Sequence, residues 1–178
     1  QRCVCLCVCV REREIPPALA DAVETWLAAN TFVEPQHLSI TAWSFAKCGQ
    51  NSASVFLAAE DYIRNSMYEV VEFQPQAVSN LVWAFATVGR RSPELFTAFE
   101  TKIGESRLWD FKPQEIANLI WAFAKVGAEG DTVYICVEEA ISERGIEVFE
   151  PSHVANIVWA CARKNRQLAS STRCSSLV

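Results

Sequence analysis

Apolar residues return along this chain at a near-constant interval. Trp43, Trp83, Trp121 and Trp159 are separated by 40, 38 and 38 residues, and their neighbours align without further adjustment. Ser44-Phe45-Ala46-Lys47-Cys48-Gly49 falls over Ala84-Phe85-Ala86-Thr87-Val88-Gly89, over Ala122-Phe123-Ala124-Lys125-Val126-Gly127 and over Ala160-Cys161-Ala162-Arg163-Lys164-Asn165. Pro35, Pro75, Pro113 and Pro151 each stand eight residues before their Trp, and Val33, Phe73, Phe111 and Phe149 ten before. Proline is accepted at the first helical turn, where its missing N–H has no partner to lose, and Gly or Asn just past the end supplies a left-handed cap. The punctuation predicts helices of about four turns starting at each proline. Within the third copy Ile116, Leu119, Ile120 and Phe123 follow i, i+3, i+4, i+7, a core-facing stripe, while Trp121 lies off it. A helix apolar on two sides is sandwiched between neighbours.

A second helix fills the rest of each period. Leu95, Ala98, Phe99 and Ile103 take i, i+3, i+4, i+8, matched by Val55, Ala58, Ala59 and Ile63, by Val133, Cys136, Val137 and Ile141, and by Leu19, Ala22, Val23 and Leu27. The expected count is an opening helix from Pro17 to about Asn30, three complete pairs, and a last first-type helix ending near Asn165. The fold class is therefore all-α, an α-solenoid of about 38-residue helix-turn-helix repeats, because one pair cannot bury both its faces alone. Residues 16–166 form the repeat domain, residues 1–15 an unstructured segment, and residues 167–178 a flexible tail rich in Ser and Thr.

Composition narrows the chemistry. A length of 178 residues suits one domain, and 51% apolar residues provide a core. The longest unbroken apolar run, Cys3 to Val10, is far shorter than the roughly 20 residues of a membrane span, so a soluble protein with no membrane partner is expected. With 21 acids and 16 bases the net charge is −5, which excludes a generally cationic surface and makes any nucleic-acid contact local. Four of the eight cysteines crowd into Cys3, Cys5, Cys7 and Cys9, while Cys48, Cys136 and Cys161 take apolar places in the repeat. A reduced compartment is expected rather than a disulfide framework. Cys-x-Cys spacing is too tight for structural zinc, and the two histidines, 116 positions apart at equivalent slots, cannot share a metal. No Walker-type loop, HExxH or GxSxG occurs, and neither a catalytic residue nor a cofactor is expected.

The run Phe111-Lys112-Pro113-Gln114-Glu115-Ile116-Ala117-Asn118-Leu119-Ile120-Trp121-Ala122-Phe123-Ala124-Lys125-Val126-Gly127 resembles the helical repeats of organellar RNA-metabolism proteins. These are the octotricopeptide-like and FAST-kinase-like arrays, often followed by a RAP domain, and the repeats of mitochondrial RNA-editing substrate-binding complexes. The resemblance covers about residues 17–165. It implies single-stranded RNA binding in mitochondria or chloroplasts, roughly one nucleotide per repeat, in RNA processing, stability, editing or translation, with other subunits of an RNA-processing complex as further partners. The kinase part of the name has no glycine-rich phosphate loop to support it. No RAP-like domain follows Val178 and the chain begins at Gln1, so a fragment of a longer protein is expected.

A polar column runs along each first-type helix, seven before, three before and four after its Trp: Gln36, Ile40, Lys47; Gln76, Asn80, Thr87; Gln114, Asn118, Lys125; Ser152, Asn156, Arg163. Amides can read base edges and cations can hold phosphate; equally, Asn can tether a neighbouring backbone and a cation can offset the helix C-terminus. The four Trp residues are stacking platforms for bases or, on the plainer reading, packing between repeats. Six before the Trp the sequence varies, with His37, Ala77, Glu115 and His153, a place for discrimination between bases if it is not simply unconstrained surface. Glu24, Glu60, Glu100 and Glu138 recur in every second-type helix and read as structural, since an acid-base catalyst needs a single pocket. The competing function is a protein-binding scaffold. Lys47, Lys125 and Arg163 share one slot, with Arg90 and Arg91 just beyond Gly89, so a one-sided basic ridge would favour RNA and scattered bases the scaffold.

Overall fold

The computed structural model describes residues 14–29, 34–65 and 73–175. The expectations for the N-terminal cysteine run, for Asn30 and for Val33 fall outside these. Eight α-helices and one short 3-10 turn, with no strand, make up the described residues. They are α1 (Pro17–Ala29), α2 (Pro35–Lys47), α3 (Ala53–Asn65), α4 (Pro75–Thr87), α5 (Pro93–Ser106), α6 (Pro113–Val126), α7 (Asp131–Arg144), the turn Ile146–Val148, and α8 (Pro151–Ser175).

The first-type helices begin at Pro35, Pro75, Pro113 and Pro151 as the punctuation predicts. Gly49, Gly89 and Gly127 lie just past the ends of α2, α4 and α6 at φ of +74°, +74° and +73°, the left-handed region that costs a side chain most. Beyond the first two, the N–H groups of Gln50 and Arg90 donate back to the carbonyls of Phe45 and Phe85, and Ala128 does the same to Phe123, closing each end. The last copy has Asn165 instead of Gly, and the helix runs on to Ser175. The tail expected to be flexible is therefore helical backbone up to that residue. Arg, Gln, Leu and Ala after Asn165 are good helix formers and no Gly or Pro interrupts them.

The helices pack in two layers. In one, α2 lies on α4, α4 on α6 and α6 on α8; in the other, α1 lies on α3, α3 on α5 and α5 on α7. Such packing between neighbours is consistent with a helical repeat. One continuous core fills the space between the layers, with Leu38, Phe56, Val78, Phe85, Leu95, Phe99, Ile116 and Phe123 almost wholly buried. Phe56 meets Phe85 edge-on at 5.0 Å and Phe96 meets Phe123 in the same way at 4.9 Å, one period later. The opening stripe is less buried than its later counterparts, with Leu19 of α1 54% exposed, and among the described residues no helix precedes α1 in its layer.

Two of the recurring glutamates, Glu24 and Glu100, hold the start of the next helix in that layer. Glu24 accepts hydrogen bonds from the hydroxyls of Ser52 and Ser54 at 2.6 and 2.9 Å, and these hydrogen bonds hold its carboxyl below the usual range. Glu100 accepts from the backbone N–H of Thr132 at 3.1 Å. Each of these two carboxylates stabilises the positive end of a helix dipole.

Candidate nucleic-acid interface

The polar column of the first-type layer is a surface feature. Gln36, Gln76 and Gln114 are exposed, as are Lys47 and Lys125, and Asn80, Asn118 and Asn156 are half-buried. Among the described residues no hydrogen bond engages the side chains of those three asparagines, so none acts as a tether to a neighbouring backbone and their amides point to solvent-accessible space. In the first copy the same slot holds Ile40, an apolar residue 43% exposed.

Beside the amides runs a ladder of half-buried indoles. Trp43 and Trp83 have ring centroids 6.1 Å apart, Trp83 and Trp121 6.4 Å, and Trp121 and Trp159 6.3 Å. An aromatic ring inserted between two others needs about 7 Å between its neighbours, twice the usual van der Waals contact of about 3.5 Å. The ladder is closed: Trp83 and Trp121 stack at 28°, the other two pairs are tilted at 39° and 32°, and a base could meet only the exposed edges. The Lys47 ammonium lies 5.8 Å from the rings of both Trp43 and Trp83, spanning two copies.

Four of the named residues have other duties. Glu115 is buried, and its carboxylate accepts the backbone N–H of Lys112 at 2.8 Å, capping its own helix. His153 accepts from the N–H of Glu150 through Nδ1 at 3.2 Å in the equivalent position, and His37 lies 3.6 Å from Glu34, exposed. The slot six before the Trp is the third residue of each helix, where a side chain folds back on the N-cap. Its variation reflects alternative ways of ending a helix, and the buried Ala77 and Glu115 present nothing to a ligand. Arg163 is the fourth. Its Nε donates to the carbonyl of Ala124 at 2.7 Å and its Nη2 lies 3.5 Å from that of Lys125, so it ties α8 to the C-terminus of α6 while covering the Trp159 ring at 5.4 Å. Lys164 continues the tie, reaching the carbonyl of Glu129 and, at 2.6 Å, the carboxylate of Asp131.

Periodicity pointed to the apolar stripes but not to Phe56 and Phe96, which sit one residue after the anchors Val55 and Leu95 and carry the cross-layer contacts. The matching position in α7 is Tyr134, and the partner slot in α8 is Cys161, so the last copy substitutes a smaller pair.

Charge is divided between the layers. The helices α2, α4, α6 and α8 carry one acid, the buried Glu115, against Lys47, Lys125, Arg163, Lys164, Arg166 and Arg173. The helices α1, α3, α5 and α7 carry eleven acids against Arg64, Lys102 and Arg144. Among the described residues no group of three or more His, Cys, Asp or Glu side chains is placed to hold a metal ion, and no helix is long and apolar enough to cross a membrane. Comparison of the chain with protein-family models and with curated proteins returns no match.

Proposed function

We propose that this chain is an RNA-binding α-solenoid that holds single-stranded RNA along its first-type helices and acts in organellar RNA processing, stability, editing or translation, in a mitochondrion or chloroplast. The observation that carries the reading is the division of charge: on a protein of net charge −5, the layer bearing the exposed amides and the indole ladder is cationic and free of exposed carboxylates within its helices. A phosphate backbone is drawn to that layer and turned away from the other. The asparagines Asn80, Asn118 and Asn156 offer both donor and acceptor to base edges, one per period. The role is binding, with no catalytic step assigned to any residue. The acidic second-type layer leaves room for a cationic protein partner in a larger complex.

The exposed lysines test this better than Arg163, whose removal would also loosen α8. Short single-stranded RNAs are titrated at several salt concentrations and binding followed by fluorescence anisotropy. Each lost phosphate contact on a single strand lowers the salt slope by about 0.7, so Lys47→Ala with Lys125→Ala lowers it by about 1.4 and weakens all sequences alike. Asn118→Ala instead alters preference between bases at an unchanged slope. Absence of binding at low salt, or a slope indifferent to both lysines, favours the protein scaffold instead.

A further inference from the structure

The helices α2, α4 and α6 end on the same backbone turn, and one side chain of that turn changes from copy to copy. Gln50, Arg90 and Ala128 follow the capping glycines, and their N–H groups donate alike to the carbonyls of Phe45, Phe85 and Phe123 at 2.9, 2.9 and 3.1 Å. Their side chains start from matching places. Gln50 reaches back through Nε2, which donates to the carbonyl of Ile15 at 3.1 Å. Arg90 reaches back too: its Nε donates to Asn51 Oδ1 at 2.8 Å, and its guanidinium lies 5.2 Å from the centre of the Phe56 ring. Ala128 has no donor to send.

At that joint lies a cavity of about 350 Å³, between the start of α5, the end of α6 and the turn into α7, and every residue lining it is among the described residues. Phe96, the counterpart of Phe56 one period on, forms part of its wall together with Phe123. Its charged lining is Arg91, Glu100 and Glu129. Glu100, half-buried, engages Oε1 with the N–H of Thr132, which leaves Oε2 without a hydrogen bond among the described residues. Glu129 is exposed, and its carboxylate has no ion pair among them. Because Glu129 stands where Arg91 stands one period earlier, the two cations Arg90 and Arg91 of the preceding turn give way to Ala128 and Glu129. The joint has lost a guanidinium and gained a carboxylate.

We propose that this cavity binds the guanidinium of an arginine side chain presented by a partner polypeptide. The preceding copy shows what the place accepts, a guanidinium against the phenylalanine of the second-type helix. Glu100 and Glu129 supply the acceptors, and a planar guanidinium has five N–H donors for them while its carbon packs on the aromatic wall. An ammonium lacks that fork. The volume is near the lower end of ligand pockets, roughly 300–1,000 Å³, and suits one long side chain. Arg91, exposed, is the single opposing charge against two carboxylates. One wall belongs to α5, a helix of the acidic layer, which attracts a cationic polypeptide and turns RNA away. The inference rests on that division of charge and not on RNA binding.

An acetylated, amidated Gly-Arg-Gly peptide, titrated to about 10 mM into the isotope-labelled full chain, should shift the amide resonances of Ala128, Glu129 and Thr132 saturably. The same peptide carrying citrulline, which keeps the shape and loses the charge, should bind about tenfold more weakly. Free arginine brings its own carboxylate to an acidic site and should also bind more weakly than the capped peptide. Ala128→Arg, which gives this turn the side chain that Arg90 gives the one before, should abolish binding with helical circular dichroism unchanged. Glu129→Gln, on an exposed side chain, should weaken it about threefold. No saturable shift, equal binding of the citrulline peptide or of free arginine, a folded Ala128→Arg variant that still binds, or indifference to Glu129→Gln would each overturn the proposal. Short single-stranded RNA should leave the three resonances in place, and RNA that moves them while the peptide does not would give the cavity to nucleic acid instead. The RNA reading is tested at Lys47 and Lys125, so the two can fail separately.

Discussion

Tyr134 shows how one side chain records a change in the repeat. It stands where Phe56 and Phe96 stand, but its partner slot holds Cys161 in place of a phenylalanine, and the space left over admits a hydroxyl. That hydroxyl is buried with no hydrogen-bond partner among the described residues, while the Lys164 ammonium lies 5.1 Å from the ring centre. Burial above all, with added repulsion from Cys161 and Asp131, pushes its pKa up to about 12. The unfolded chain releases this proton near pH 10, its ordinary value. The folded pKa is raised, so the stabilising contribution is complete below pH about 10 and is lost as pH rises through about 12. Tyr134→Phe should therefore flatten the alkaline fall in stability across that window, measured by urea melts at successive pH values. Near neutrality the variant should equal or exceed the wild type by up to about 1 kcal/mol, since it removes a buried donor that bonds to nothing. Arg144 is the opposite case, a cation whose guanidinium gathers the carbonyls of Leu108, Trp109 and Phe111 in the turn before α6. Arg144→Met should cost about 2–4 kcal/mol by leaving those acceptors without their donor, a loss that urea melts would read directly.

Among the elements, the joints differ more than the helices. Gly49 and Gly89 need a left-handed backbone but have open space around the missing Cβ, so Ala there costs only the conformational penalty, about 1–2 kcal/mol. Gly130, at φ +55° before α7, faces Phe123 so closely that a Cβ would lie 2.5 Å from its ring. Gly130→Ala should add about 1–3 kcal/mol of overpacking to the same penalty, a difference visible as a lower melting temperature than that of Gly89→Ala. All four prolines and three of the four helix ends are legible in the sequence because each is a local rule about one residue's φ or missing N–H. The run of α8 past Asn165 is not, because a helix that lacks a terminal Gly stops only where its downstream residues stop favouring it. The slot holding His37, Glu115 and His153 misleads for a related reason. Its variability looks like freedom, whereas the third residue of a helix answers to the N-cap, a contact that hydrophobic periodicity does not register. Asn80, Asn118 and Asn156 stand out in the sequence, yet only the coordinates show that their amides are left unengaged while the neighbouring Arg163 is not.

For the whole molecule, a helical repeat packed neighbour on neighbour would make stability a sum of units and the contacts between them. Deleting residues 84–121 joins Trp83 directly to Ala122 and restores the sequence Trp-Ala-Phe-Ala across the junction. If the copies are interchangeable, the shortened chain should still unfold cooperatively, with a urea m-value lower by about a fifth, in proportion to the surface removed; loss of cooperative helical signal would show that they are not. The indole ladder has a further consequence, an optical one. Four chromophores in a row with centres 6.1 to 6.4 Å apart exchange excitation far faster than they emit. Light absorbed at one rung leaves from another, so its polarisation is scrambled even in a molecule that does not rotate. Trp121→Phe would break the row in the middle and confine the wandering to one pair, and the recovered anisotropy would give a label-free reading of whether the four helices keep their order when the protein meets a ligand.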